Sequence, residues 1–255
     1  METALIETHP LLEEAHTILD VTKGFDENIR RAHRLIIFAT RGDLGNASPL
    51  ETKGFIEDIM RSSIVLAHSS LETALRELIA HRLKAKADKE VPKIPLIGMQ
   101  RSEKFHWKDL YPYRHKTVIE IINESIDDYV SYTSFNSTID IANHLKELGV
   151  DLKYVKPLFA DLDAMIQRRH QIVHESDYAR ASSEKKLETL THIMALKWIS
   201  NASTFLWYSV FSLLISDSYV EELNQKLREA GRPEIVITEE SIKKLFDLSP
   251  KRENL

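Results

Sequence analysis

The fold class is decided by one stretch, residues 51–86, which reads ETKGFIEDIMRSSIVLAHSSLETALRELIAHRLKAK. Its apolar residues recur three or four positions apart, and this spacing places them along one side of an α-helix. They are Ile56, Ile59, Ile64, Leu66, Leu71, Leu75, Leu78, Ile79 and Leu83. The stretch therefore predicts one long amphipathic helix, from about Glu51 to about Lys86.

The same spacing continues on both sides of this stretch, and little in the chain interrupts it. There are seven glycines and eight prolines, and one short strand-like run at residues 235–237. Further helices are predicted over about 10–39 with an interruption near Gly24, 116–129, 137–148 with a C-cap at Gly149, and 155–174. A last long helix, for which a kink is allowed, is predicted from a cap at Ser182 or Ser183 to about 228. We therefore predict an all-α helical bundle of long amphipathic helices.

The composition limits both the chemistry and the compartment. The chain of 255 residues is 43% hydrophobic and has no cysteine. This excludes disulfides, thiolate catalysis and cysteine-ligated metal centres, and it suits a reducing cytoplasm. Residues 204–215 are almost entirely apolar, but this run is too short to cross a bilayer. We predict a cytoplasmic protein without a membrane segment, in which residues 204–215 form a core or dimer-interface helix.

The net charge of −5 disfavours non-specific nucleic-acid binding, which needs a basic surface. Any RNA site must therefore be local. One candidate is the aromatic and basic segment 105–115, in which Trp107 and Tyr113 are predicted to stack on bases and Arg114 to bind phosphate. The alternative is that this segment is a loop packed on the bundle.

The residues that carry chemistry are concentrated in segment 167–177, QRRHQIVHESD. His170 and His174 are four apart, as in zinc-dependent hydrolases, where a glutamate after the first histidine acts as the general base. Gln171 stands at that position and cannot accept a proton, and Arg168 and Arg169 would repel a divalent cation. We therefore predict neither a catalytic metal nor any other cofactor.

The same residues suit metal-free cleavage of a phosphodiester. Histidine is suited to proton transfer near neutral pH, and arginine donates paired hydrogen bonds to phosphate oxygens. Arg169 and His174 lie about 140° apart around an ideal helix, so a helix break or a second protomer is needed to bring both to one phosphate. The alternative is a structural helix end, where basic residues bind the last carbonyls and Glu175 or Asp177 pairs with an arginine.

The run Arg169-x4-His174, with His170 directly after the arginine and Ile172-Val173 before the histidine, resembles the motif of the HEPN superfamily. Residues 67–78, which include Glu72, resemble the first core helix of that family. The resemblance extends from about Glu51 to Ser216. It implies an α-helical ribonuclease domain in which Arg169 and His174 are catalytic. We assign supporting roles to His170, Arg168, Glu72 and Asp177.

Membership would also imply metal-independent endoribonuclease activity, a homodimer with a shared cleft, and a role in defence or toxin–antitoxin systems. We predict cleavage of RNA to 2′,3′-cyclic phosphate and 5′-hydroxyl ends. The alternative is a non-catalytic HEPN interaction or dimerisation module, for example the partner of a nucleotidyltransferase antitoxin. The predicted organisation is an N-terminal helical extension (1–48), a HEPN-like helical domain (49–230) and a C-terminal tail with a short helix beginning at Thr238 (231–255).

Overall fold

The computed structural model describes residues 10–41, 49–85, 94–99, 106–153, 155–174, 190–214, 217–229, 231 and 233–234. Within these ranges the all-α prediction is confirmed, because they contain helices and connecting segments but no strand. The α-helices are α1 (Pro10–Arg41), α2 (Pro49–Ala85), α3 (Trp107–Leu110), α4 (Val118–Ser131), α5 (Thr138–Glu147), α6 (Phe159–His174), α7 (His192–Leu214) and α8 (Asp217–Glu229). Single 3-10 turns at Tyr111–Tyr113 and Lys156–Leu158 follow α3 and precede α6.

The core of the protein lies between α1, α2 and α7. The two long helices α1 and α2 pack along each other, α7 packs against both, and α6 packs on α2 and α7. Phe25 of α1, Leu75 of α2 and Phe205 of α7 are all buried in one continuous apolar cluster. Helix α1 therefore shares its core with α2, while the predicted domain boundaries at residues 48 and 230 stay predictions.

Helix α6, which carries the 167–174 part of the motif segment, is fixed by carboxylates near its first turn. The Asp161 carboxylate accepts hydrogen bonds from Nζ of Lys197 (2.8 Å) and Nδ2 of Asn201 (2.6 Å), both on α7. The Asp163 carboxylate accepts hydrogen bonds from the backbone N–H of Thr138 (3.0 Å) and its hydroxyl (2.8 Å), at the first residue of α5. These contacts set the position of α6 relative to two neighbouring helices.

Several predicted helix ends are confirmed, and each has a local cause. Ser137 caps α5 by accepting a hydrogen bond from the backbone N–H of Asp140. Gly149 follows α5 with a φ of 87°, the left-handed conformation expected of a C-cap glycine. Helix α6 begins four residues later than predicted, because Pro157 lies in the 3-10 turn that precedes it.

One predicted feature of the long helices is wrong. Helix α1 is continuous through Gly24, since a glycine costs a helix only about 1 kcal/mol and packing against α2 and α7 offsets that cost. The helix predicted up to about 228 corresponds to α7 and α8, and residues 215–216 between them lie outside the described residues. Its predicted cap at Ser182 or Ser183, the run 235–237 and the short helix from Thr238 lie outside the described residues.

The apolar segment 204–215 forms most of the second half of α7, and it belongs to the core. Phe205 has no exposed surface, and Nε1 of Trp207 donates a hydrogen bond to Oδ1 of Asp26 on α1 (3.1 Å). Both side chains therefore make contacts within the chain, in agreement with a core position, while the predicted dimer interface stays a prediction. Among the described residues, no helix combines the length and apolar character needed to cross a membrane.

Candidate active site

The motif residues occupy the last two turns of α6, which stays helical through His174. Because the helix is continuous between Arg169 and His174, a helix break does not bring these two side chains together. Their offset is therefore close to the ideal value of about 140°. The exposure of the residues agrees with this, since Arg169 is half-buried and His174 is exposed.

The arginines of the motif face the protein rather than the solvent. Arg168 is only 8% exposed. Nε of Arg169 is buried and makes no hydrogen bond within the described part of the chain. The positive charge of Arg169 acts on the ring of His68 on α2 and lowers its pKa. Both arginines are thus held at the packed side of α6.

Helix α2 presents a row of three polar side chains at this contact. His68, Glu72 and Arg76 are spaced four residues apart, so they follow one another along one face. Nη2 of Arg76 donates to Oε1 of Glu72 at 2.7 Å. Nδ1 of His68 lies 4.0 Å from Oε2 of Glu72 and has no hydrogen-bond partner among the described residues. Of these three residues, only Glu72 is a predicted site residue, although the spacing of His68 and Arg76 is visible in the sequence.

His68 is neutral at neutral pH. The pKa of its ring is lowered from 6.5 to about 4, mainly by burial; the Glu72 carboxylate acts in the opposite direction, and the positive charges of Arg169 and Arg76 contribute to the lowering. The 4.0 Å contact with Glu72 is therefore not an ion pair at that pH. The row on α2 therefore contains the Glu72 carboxylate, which is paired with Arg76, and the neutral His68 imidazole, on which the charge of Arg169 acts.

Arg76 connects this row to the segment between α4 and α5. Nη2 of Arg76 also donates to the backbone carbonyl of Thr133 (3.1 Å), and its guanidinium lies 5.3 Å from the centre of the Phe135 ring. Phe135 is buried. Because Glu72 and Thr133 accept from the same nitrogen, Arg76 holds the carboxylate in a fixed position next to α6.

On the exposed side of α6, His170 and His174 form a pair. Their ring centres are 4.5 Å apart, and the ring planes are inclined by 42°. Both residues are exposed, so their imidazoles are accessible to a substrate. Such rings can accept and donate protons. The pair is separated from Arg169 around the helix, and Asp177 lies outside the described residues.

The segment predicted to bind RNA is partly folded against the protein. Trp107 is 88% exposed, the highest value among the large hydrophobic residues of the described chain. Tyr113 is half-buried, and its hydroxyl donates to the carbonyl of Ile97 (3.2 Å). Arg114 is exposed and lies over the ring of Tyr111, 4.6 Å from its centre. Trp107 and Arg114 are therefore accessible, whereas Tyr113 has a structural contact.

Comparison with known proteins gives one family match. The model of the family described as RiboL-PSP-HEPN matches residues 27–196, which is about two thirds of the chain. The matched range contains both the polar row on α2 and the motif at the end of α6. No curated protein and no solved structure matches the chain significantly.

Proposed function

This chain belongs to the RiboL-PSP-HEPN family of the HEPN superfamily, and on that basis we propose that it is a metal-independent endoribonuclease. HEPN domains include ribonucleases, so the family makes this activity possible. The observation that carries the proposal is the Arg169-x4-His174 motif at the end of α6, where the His174 imidazole is exposed.

In the proposed reaction, an imidazole of the motif accepts the proton of a ribose 2′-hydroxyl, whose oxygen then attacks the adjacent phosphorus. The bond from phosphorus to the 5′-oxygen breaks, and that oxygen takes up a proton. The products carry 2′,3′-cyclic phosphate and 5′-hydroxyl ends. His174 performs proton transfer, and His170, one helical turn before it, supports that transfer. Arg169 donates hydrogen bonds to the phosphate oxygens as negative charge develops on them.

A homodimer would complete this site. In one chain the guanidinium of Arg169 lies beside α2 and His174 lies on another side of α6, so a second copy is needed to bring an arginine to each histidine. Val173 (47% exposed) on α6 and Ile193 (68% exposed) at the start of α7 leave apolar surface free for such a contact. In a two-fold dimer, each Arg169 would serve the partner's His174.

RNA contacts beyond the motif are proposed for the α3 segment. The exposed Trp107 ring is suited to stacking on an unpaired base, and the exposed Arg114 is suited to binding a phosphate. Tyr113 is the weakest of the three predicted contacts because its hydroxyl is already bonded to Ile97.

A defence or toxin role would appear as growth arrest on expression, relieved by Arg169→Ala and by His174→Ala.

A second candidate function is the non-catalytic interaction module, with an antitoxin or a nucleotidyltransferase as its proposed partner. It is favoured by the half-buried position of Arg169, whose Nε is enclosed by the protein and whose charge acts on His68. An arginine held in this way could serve packing alone. An assay of RNA cleavage separates the two candidate functions, because an interaction module would not cleave RNA.

The deciding experiment is RNA cleavage by the purified protein in excess EDTA. We expect cleavage to continue, with cyclic phosphate ends, and to fall by about 10²–10³ in His174→Ala or Arg169→Ala. His33→Ala, which removes a histidine of α1 outside both the motif and the α3 segment, is the matched control and should retain full activity. Loss of all cleavage in EDTA, or full activity of His174→Ala, would contradict the mechanism.

A further inference from the structure

The exposed pair His170 and His174 has the geometry of a metal chelate. A transition-metal ion lies about 2.0–2.1 Å from each imidazole nitrogen, hence about 3.2 Å from each ring centre. At a ligand–metal–ligand angle of about 90–110°, the two ring centres would be about 4.5–5.2 Å apart. The observed separation is 4.5 Å, with planes inclined by 42°, so the spacing of the two ring centres lies within this range.

The charges around the pair permit a cation, although the sequence suggests that Arg168 and Arg169 would repel it. In the folded protein Arg168 is 8% exposed, and the charge of Arg169 acts on His68 of α2. Ideal helix geometry places the two arginines about 100° to 160° around α6 from His170. His174 is also the last residue of α6, where the partial negative charge of the helix dipole favours a cation.

We propose that His170 and His174 bind one divalent transition-metal ion per chain and that this ion inhibits the enzyme. Imidazole ligands suit Cu²⁺, Ni²⁺ and Zn²⁺ but not Mg²⁺. Among the described residues, no group of three or more histidine, cysteine or acidic residues suited to a metal occurs, so the proposed site rests on the two imidazoles. Inhibition rests on the proposed function, since the ion occupies the imidazole that His174 needs for proton transfer. Binding of the metal ion to the histidine pair does not depend on the proposed function.

The first test measures binding alone. Ni²⁺, Zn²⁺, Cu²⁺, Mn²⁺ and Mg²⁺ are titrated into the full-length protein by calorimetry, with His170→Asn, His174→Asn and the control His115→Asn in parallel. We expect one ion per chain, tightest for Cu²⁺ and weakest for Mn²⁺, without binding of Mg²⁺. The site should be lost in both motif variants and kept in His115→Asn. Equal binding by wild type and both motif variants would overturn the proposed site.

The second test adds RNA cleavage. Zn²⁺ at a concentration that fills the site should abolish cleavage by the wild-type protein, and EDTA should restore it. Zn²⁺ binding at the histidine pair without loss of cleavage would overturn the inhibitory role. A metal-free protein that cleaves no RNA would instead overturn the proposed function and the inhibition that rests on it, while the calorimetric result on the metal site would stand.

Discussion

The buried histidine of α2 should make the stability of the protein depend on pH. His68 is 3% exposed, and burial lowers its pKa from 6.5 to about 4. As the pH falls below 6.5, the unfolded chain binds a proton at this position that the folded protein does not bind. Folding is therefore progressively weakened from about pH 6.5 to about pH 4. The loss levels off once the folded protein is also protonated.

The size of this effect follows from the two pKa values. One unit is worth about 1.4 kcal/mol, so the full shift corresponds to about 3 kcal/mol, of which about 2 kcal/mol falls between about pH 7 and about pH 5. Urea unfolding followed by tryptophan fluorescence measures it at both pH values. His68→Leu removes the titrating group, so the variant should lose about 2 kcal/mol less than wild type. Equal losses in the two proteins would refute the assignment.

Three further variants test individual contacts. Arg169→Ala should raise the pKa of His68, measured by NMR titration, because it removes a positive charge that lowers that pKa; an unchanged pKa would show that Arg169 is directed elsewhere. Trp207→Phe should cost about 1–3 kcal/mol in urea unfolding, because it removes the hydrogen bond to half-buried Asp26; an unchanged midpoint would count against that bond. Gly149→Ala should lower the free energy of unfolding by about 1–2 kcal/mol, since its φ of 87° strains any other residue; a stabilised variant would contradict this reading.

Helix periodicity and capping could be predicted from the sequence because both depend on neighbouring residues. The long helix expected over about 51–86 lies at Pro49–Ala85, and the C-cap at Gly149 is present. The interruption expected at Gly24 failed because packing against α2 and α7, which a local pattern does not contain, keeps α1 continuous. Of the two roles predicted for residues 204–215, the core role is confirmed by the burial of Phe205, and the interface role stays a prediction.

In the candidate site, too, features set by sequence spacing could be predicted, whereas features set by the packing of helices could not. The positions of Arg169 and His174 on one helix, and their angular offset, follow from spacing alone. That Arg169 turns toward His68 depends on how α6 packs against α2, which no short pattern specifies. The separation of 4.5 Å between the rings of His170 and His174 depends on side-chain conformations, so only their shared face was predictable.

Arg169 of one chain and His174 of another are proposed to form one catalytic site, and mixing of two inactive variants tests this arrangement. His174→Ala and Arg169→Ala proteins, each inactive alone, are mixed in equal amounts, unfolded and refolded together, and assayed on RNA in EDTA. Random pairing makes half of the dimers mixed, each with one intact site, so about a quarter of wild-type activity should return. A mixture no more active than the separate variants, beside a refolded and active wild type, would contradict the shared site.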